Sequence, residues 1–459
     1  MEFVNKNVLI IGAGISGFAA AKIAKKFGAD VTLSDAKAEE DINYDFSELR
    51  DLNINLKFGN QEDSLLDGVD LIIVSPAVPL RIPLLQSALQ RNIKVISEVE
   101  LAYALAKSPI CAVTGTNGKT TTVTLLGLLL ETAYQKVGVG GNIGIPLSEV
   151  AIEVGEGGCI AAEISSYQME ATNHFKPHVS AILNVTPDHI KRHGSMEVYQ
   201  QMKERIFTEE GSDDFLVLNY DDERTRGIKD RAHCKVYYFS RQRELDEGAC
   251  LIGEELVIKV NGTMHKLCTI NELGIKGGHN VENALAASMV AFLAGAEPSK
   301  MRQVLIDFKG VEHRIEFVRE IDGVKYYNDS KATNTDSAIK ALETFDGHIV
   351  LIAGGDDKGT DLTEFMELVK ARVDELILVG DAAARFKQAA IDIGFDKKKI
   401  HEADYSMDKA VEIAKDIAQA SQIVLLSPAC ASFDMYNGFE ERGRDFKKLV
   451  EGLCPRTRS

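Results

Sequence analysis

Short strand-like runs, most of them apolar throughout, recur along the whole chain. They fall at residues 8–11, 31–34, 71–75 and 95–97, at 110–113, 160–164 and 181–185, and at 325–328, 349–353, 376–379 and 423–426. Helix-length segments separate several of them. A strand buried on both faces reads as a continuous apolar run, and such strands occur almost only in parallel sheets covered by helices. The pattern predicts an α/β chain. At 459 residues, and with roughly 100–200 residues per domain, three domains are expected, at 1–98, 99–310 and 311–459. Within the second, a more β-rich patch at 215–219, 236–239 and 251–260 precedes a helix at 280–293.

Gly12-Ala13-Gly14-Ile15-Ser16-Gly17 follows the first strand and precedes a helical run at 18–27, and Asp35 ends the second strand. This is the nucleotide-binding arrangement of a Rossmann-like domain. The glycines let backbone N–H groups approach a diphosphate, and the helix N-terminus favours its charge. Taken alone, the turn fits a nicotinamide or flavin enzyme, the diphosphate of a UDP-sugar, or a tight turn with no ligand.

A second turn is more specific. Ile110-Cys111-Ala112-Val113 leads into Thr114-Gly115-Thr116-Asn117-Gly118-Lys119-Thr120-Thr121-Thr122 and a helix at 123–131. Gly118-Lys119-Thr120 ends a phosphate-binding loop, and Gly115 makes that loop shorter than the usual GxxxxGK[ST]. Backbone N–H groups there cradle phosphates, Lys119 reaches the β and γ oxygens, and a hydroxyl of Thr120 or Thr121 is available to Mg²⁺. Glu163 and His189 follow strand-like runs, where ligands of an open α/β sheet sit. Together they make a candidate second metal site. Lys203, in a helical run at 199–207, reads by itself as a solvated lysine.

Composition narrows the partners. Acidic residues outnumber basic ones 69 to 52, for a formal charge of −17, and Trp is absent. A nucleic-acid partner is not expected, because it needs a basic stripe and stacking platforms. The 7 cysteines are odd in number and form no CxxC, as reduced cytosolic thiols do. No apolar run reaches the length of a membrane span and the N-terminus has no signal-peptide core. No membrane partner is expected; a cytoplasmic monomer is.

The loop at 114–122, together with Gly140-Gly141-Asn142-Ile143-Gly144 and Glu163-Ile164-Ser165-Ser166, resembles the Mur ligases, the ATP-dependent amide-forming enzymes of peptidoglycan precursor synthesis. Gly278-His279-Asn280 with Asn283, His313-Arg314, Asn328-Asp329-Ser330-Lys331-Ala332-Thr333-Asn334 and Ser427-Pro428-Ala429-Cys430-Ala431-Ser432-Phe433-Asp434 extend the resemblance over essentially the whole chain. The last two motifs are similar to those of the D-glutamate-adding members. The resemblance implies a Rossmann-like N-terminal domain that binds UDP, a central P-loop ATPase-like domain and a Rossmann-like C-terminal domain that binds D-glutamate. The carboxylate of UDP-N-acetylmuramoyl-L-alanine would attack the γ-phosphate of ATP, and the amine of D-glutamate would then capture the acyl phosphate.

The resemblance also implies roles. Gly115, Thr116, Asn117, Gly118, Lys119, Thr120 and Thr121 would hold the ATP phosphates, with Asn283, Arg314 and Asp329 as further ATP contacts. Thr120 and Glu163 would bind a first Mg²⁺. His189 would bind a second, supported by a carbamylated Lys203. Lys119, Glu163, His189 and Lys203 would be the catalytic set. Ile15, Ser16, Asp35, Lys37, Pro76 and Ala77 would surround the uridine diphosphate, and Asn142, Ser165 and Ser166 the muramoyl part. Lys331, Thr333, Ser432, Phe433 and Phe439 would hold D-glutamate, with Lys358 as a further approach. Three alternatives remain at this point. An NAD(P)-dependent oxidoreductase rests on the first turn and Asp35 alone. A non-catalytic nucleotide-binding protein would turn over no ATP in response to substrates. A ligase adding another amino acid, such as L-alanine, is the nearest rival.

Overall fold

In the computed structural model, which describes residues 3–42, 44–357 and 359–455, the strand-like runs assemble into three separate sheets. The first contains β1 (Asn7–Ile11), β2 (Asp30–Asp35), β3 (Asn55–Phe58), β4 (Leu71–Val74) and β5 (Lys94–Ser97), all parallel, in the order β3-β2-β1-β4-β5. Val8, Leu9, Ile10 and Ile11 of the central strand are all buried, so helices must cover both faces. The order reverses between β1 and β4. The segments after these two strands therefore flank one crevice, where open α/β sheets bind ligands. The helix Ile15–Lys26 starts directly from the β1 turn. A side chain at Gly17 would collide with the Gly12 carbonyl, so helix and turn touch backbone to backbone.

The second sheet contains β6 (Ile110–Thr114), β7 (Val137–Gly141), β8 (Cys159–Glu163), β9 (Val179–Ile182), β10 (Phe215–Asn219), β11 (Lys235–Ser240), β12 (Gly248–Ile252), β13 (Glu255–Val260) and β14 (Thr263–Thr269). Their order is β14-β13-β12-β11-β10-β9-β6-β8-β7, parallel except for the antiparallel pairs β12–β13 and β13–β14. The single strand expected at 251–260 is thus two. Ile252 pairs with Glu255 across a two-residue turn whose Gly253 has φ +61°, a hairpin hidden by apolar residues on both sides. The third sheet contains β15 (Glu316–Ile321), β16 (Val324–Asn328), β17 (Ile349–Gly354), β18 (Val373–Val379), β19 (Ile400–Glu402) and β20 (Ile423–Leu426), in the order β15-β16-β20-β17-β18-β19. Only β15 runs antiparallel to its neighbour.

The chain divides into two compact units. One, Met1–Leu273 with Asn280–Asp307, carries the first two sheets; the other, Gly274–His279 with Phe308–Ser459, carries the third. Inside the first unit, the connecting helix Glu98–Leu105 is fastened by two buried carboxylates. Glu98 accepts from the Ser148 N–H at 2.6 Å, and Glu100 accepts from the N–H groups of Asn173 and His174 at 2.9 and 3.0 Å. Each caps a chain segment of the second sheet, and the pair ties the two sheets together. No helix among the described residues is long and apolar enough to cross a membrane.

Glu210 is a buried acid, and burial pushes its carboxyl up to about 8. The folded chain therefore keeps a proton that the unfolded chain loses above the ordinary value of 4.5. Stability on this account falls as pH rises from 4.5 to about 8. The variant Glu210→Gln should gain in melting temperature relative to the native chain across that window. A difference that stays constant from pH 5 to 8 would contradict this.

Candidate active site

β8, β6 and β9 lie side by side, with Val113 opposite Glu163 and Thr114 opposite Ile182. The glycine turn after β6, Glu163 at the end of β8 and the 183–189 segment after β9 therefore emerge at one edge of the sheet. Gly118 caps the helix Lys119–Leu130 in the left-handed region, φ +84°. A Cβ there would collide with the Asn283 amide, so that position requires glycine on two counts. The helix N-terminus aims its N–H groups and its dipole at the turn, as an anion site does.

Asn184 gives the turn its shape. Its Oδ1 accepts from the N–H groups of Thr116 and Asn117 at 3.0 and 2.8 Å, and its Nδ2 donates to the Asn117 carbonyl at 3.1 Å. The Thr116 hydroxyl donates to the Thr186 carbonyl and lies 3.1 Å from the Tyr199 hydroxyl. Lys119 Nζ folds back over its own loop, donating to the Gly115 and Thr116 carbonyls at 2.9 and 2.8 Å.

Lys203 corrects its reading as a solvated lysine. It is 1% exposed, its Nζ donates to the Gly115 carbonyl at 2.7 Å, and it lies 4.4 Å from the centre of the Tyr199 ring. The helix Met196–Glu204 turns this residue toward the sheet. Burial, reinforced by the Lys119 charge and opposed by Asp188, holds its amine well below the usual lysine range.

Glu163 is 2% exposed. Its Oε1 accepts from Asn142 Nδ2 at 2.9 Å, and its Oε2 is buried without a hydrogen-bond partner among the described residues. A desolvated carboxylate oxygen of this kind is costly unless a cation meets it. Thr120, at the start of the helix after the turn, is also buried, and a hydroxyl and a carboxylate oxygen are both donors that suit Mg²⁺. His189 opens the short helix Ile190–His193 with φ +54°. Its Nδ1 is 3.0 Å from the Tyr167 hydroxyl and its Nε2 3.3 Å from Asp188 Oδ2.

A cavity of about 270 Å³ brings together Lys119, Asn142, Ser165, Ser166, His189 and Lys203 with Pro76, Tyr167, Asp188 and Tyr199. Ser165 also caps the helix Ser166–Met169 through Gln168, and the Ser166 hydroxyl is 3.0 Å from His193 Nε2. At the first sheet, both Asp35 oxygens accept backbone N–H groups, from Ala13 at 2.8 Å and Lys37 at 2.9 Å. Asp35 thereby clamps the first glycine turn. A Cβ at Gly14 would meet nothing within 4 Å. Ile15, Lys37 and Ala77 are exposed, and Ser16 and Pro76 are half-buried.

In the second unit, Asp329 is 1% exposed. It accepts from the Ser427 hydroxyl at 2.8 Å and the Ile315 N–H at 3.2 Å. Burial pushes it up to about 7, against the pull of Arg314. Lys331 Nζ lies 5.4 Å from the centre of the Phe439 ring. Thr333 is half-buried, Ser432 is buried, and the Phe433 side chain is exposed. Arg442, absent from the sequence reading, is 1% exposed. It donates to Ser330 Oγ and O at 2.9 and 2.8 Å, and to the Ala431 and Cys430 carbonyls at 2.9 and 3.1 Å. It thus fixes the segment after β16 against the segment after β20. Lys358 lies outside the described residues.

The sequence matches the Mur ligase MurD-like N-terminal domain at residues 6–97, the Mur ligase middle domain at 113–291 and the Mur ligase glutamate ligase domain at 313–430. The chain belongs to the Mur ligase family. Among curated relatives, a UDP-N-acetylmuramoylalanine--D-glutamate ligase of Thermoanaerobacter pseudethanolicus is 45% identical over 99% of this chain and 100% of its own. One of Clostridioides difficile is 40% identical over 99% and 100%. Among solved structures, the UDP-N-acetylmuramate-alanine ligase of Thermotoga maritima shares the fold with a TM-score of 0.59 at 21% identity, covering 97% of this chain and 99% of its own. The MurF ligase of the same organism, in complex with ADP, gives 0.58 at 17% identity over 98% and 96%. Mur ligases are ATP-dependent, and a glycine turn at a helix N-terminus is a geometry that suits nucleotide phosphates. Asn184 shapes that turn through three hydrogen bonds. Asn184→Ala should weaken ADP binding in calorimetry by about tenfold or more, the cost of leaving the Asn117 N–H and carbonyl without their side-chain partner. Unchanged affinity would contradict the assignment.

Proposed function

We propose that the chain joins D-glutamate to UDP-N-acetylmuramoyl-L-alanine at the expense of ATP, in peptidoglycan precursor synthesis. The observation that carries this reading is the cavity in which Lys119, His189 and Lys203 converge beside Asn142, the hydrogen-bond partner of Glu163, in a chain whose full-length relatives bear that activity in their names. A carboxylate is a poor acyl donor. One oxygen of the alanyl carboxylate attacks the γ-phosphorus, the bond to the ADP oxygen breaks, and an acyl phosphate forms. The D-glutamate amine then attacks the acyl carbon, gives up a proton, and inorganic phosphate leaves. Catalysis is positioning plus stabilisation of spreading negative charge. Gly115 to Thr121 supply N–H groups and the Lys119 ammonium to the phosphates.

We assign Thr120 and Glu163 to a first Mg²⁺ and His189 with a carbamylated Lys203 to a second; when bound, these ions neutralise charge on the phosphoryl oxygens. The buried, proton-poor Lys203 amine suits carbamylation. Its nitrogen bonds to the carbon of CO₂, loses a proton, and becomes an anion beside Lys119. We place the uridine diphosphate at Ile15, Ser16, Asp35, Lys37, Pro76 and Ala77, and the muramoyl group at Asn142, Ser165 and Ser166. Lys331, Thr333, Ser432 and the backbone at Phe433 and Phe439 hold D-glutamate, a dicarboxylate that needs a fixed cation and hydroxyl or N–H donors. Asn283, Arg314 and Asp329 remain our ATP contacts, and 1–98, 99–310 and 311–459 our domain limits. A monomer in the cytoplasm, where ATP and UDP-linked sugars are found, completes the reading.

Phosphate release should require ATP, Mg²⁺, UDP-N-acetylmuramoyl-L-alanine and D-glutamate together. Release that ignores the last two, or a preference for another amino acid, overturns the proposal. Lys203→Ala should lose activity by about 10² or more and regain part of it with added short carboxylic acids, which replace the missing anion; a folded variant unmoved by them argues against the carbamate. Lys331→Ala should raise the KM for D-glutamate by about tenfold or more, the worth of one charge-assisted contact. Unchanged D-glutamate kinetics would move the pocket elsewhere.

A further inference from the structure

Three consecutive carbonyls, those of Pro76, Ala77 and Val78, face one guanidinium. Arg192 Nη2 donates to the Val78 carbonyl at 3.1 Å and reaches that of Pro76 at 3.4 Å, while Nη1 reaches that of Ala77 at 3.4 Å. The other edge of the same group, Nε and Nη2, grips both oxygens of Glu170 at 2.9 and 2.8 Å. Its carbon lies 5.0 Å from the centre of the Tyr167 ring. The Arg192 and Glu170 side chains are only 12% and 15% exposed. The fork is therefore largely desolvated, and its geometry is fixed by a bidentate pair.

The fork links the segment after β4 in the first sheet with the helical turn that carries His189. The 76–78 segment follows β4, at the crevice of the first sheet. The Ser75 hydroxyl donates to the Gly12 carbonyl at 3.2 Å and the Val78 N–H to the Ser75 carbonyl at 3.0 Å, so this segment is tied to the first glycine turn. On the other side, Arg192 sits on the same helical turn as His189, and its N–H donates to the His189 carbonyl at 2.9 Å. Tyr167, beneath the guanidinium, has its hydroxyl 3.0 Å from His189 Nδ1. A chain of contacts thus runs from the Gly12 turn through Ser75, Val78, Arg192 and Tyr167 to His189.

We propose that Arg192, braced by Glu170, is a positioning residue that sets the spacing between the UDP-binding turn and the phosphoryl-transfer centre, and so matches the site to the length of the UDP-muramoyl substrate. This rests on the ligase reading, in which one molecule must span both ends. Lysine cannot replace it, because a point charge holds neither the bidentate pair nor three adjacent carbonyls.

The test uses the full chain and its Arg192→Lys, Arg192→Ala and Glu170→Gln variants. Steady-state kinetics with each substrate varied are measured alongside calorimetric ADP binding and thermal melting. Both arginine variants should raise the KM for UDP-N-acetylmuramoyl-L-alanine by about tenfold and lower kcat by about tenfold. The KM for D-glutamate and the ADP affinity should stay within about twofold. Glu170→Gln should move the same constants in the same direction by about threefold, and it carries the test should the arginine variants fail to fold. Full activity in Arg192→Lys, or equal losses for all three substrates, overturns the proposal. If the native chain itself forms no D-glutamyl product, the ligase reading fails and takes this inference with it. If the native chain ligates and the variants match it, only the inference fails.

Discussion

Two lysines donate to one carbonyl oxygen. Lys119 Nζ and Lys203 Nζ reach the Gly115 carbonyl at 2.9 and 2.7 Å, at the mouth of a helix whose dipole is already positive there. Water screens little at this depth, so two ammonium groups cannot share the place cheaply. Burial first, and the Lys119 charge in addition, drive the Lys203 amine toward the neutral form. Much of the site's chemistry follows from this crowding of positive charge. In the proposed reaction it draws a polyphosphate to the turn, and it leaves beside the turn a neutral nitrogen for carbon dioxide. The crowding persists because the turn cannot relax. Gly118 adopts a left-handed conformation with no room for a side chain beside Asn283, and Asn184 holds the neighbouring backbone on both sides.

The first glycine turn is built by other means. Asp35 ties it to the end of β2 through two backbone N–H groups, and Gly17 brings the helix against it. An acid at this place is the usual mark of a nicotinamide site, yet here much of its capacity goes to holding the turn. The same strand–glycine–helix physics accepts any diphosphate. The family relationship, not the turn, separates a UDP-sugar from a dinucleotide.

The α/β class, the positions of the central strands and both glycine turns were legible because they are written as apolar runs and glycine spacing. β10 and β20 match the expected runs residue for residue, at Phe215–Asn219 and Ile423–Leu426. β3, β7, β14, β15 and β19 were not legible, and each lies at the edge of its sheet. An edge strand meets solvent along one flank, so it carries polar residues or glycine, as in Asn55–Phe58 and Val137–Gly141, and gives no apolar run. At the site, Lys119 of the glycine turn and the carboxylate of Glu163 at a strand end were readable in one dimension. The burial of Lys203 was not, because nothing local distinguishes it from a surface lysine on a helix. Asn184, Arg192 and Arg442 act by gripping backbone carbonyls or N–H groups far away in sequence, and such partners leave no spacing to read.

The central claim is that the glycine turn presents a γ-phosphate to a carboxylate, which leaves as an acyl phosphate. The most direct measurement uses UDP-N-acetylmuramoyl-L-alanine with heavy oxygen in its alanyl carboxylate, followed by mass spectrometry of the phosphate released during ligation. Transfer of one labelled oxygen from substrate to each phosphate is the predicted result. Phosphate that carries only unlabelled oxygen, with the peptide bond still formed, would contradict the account.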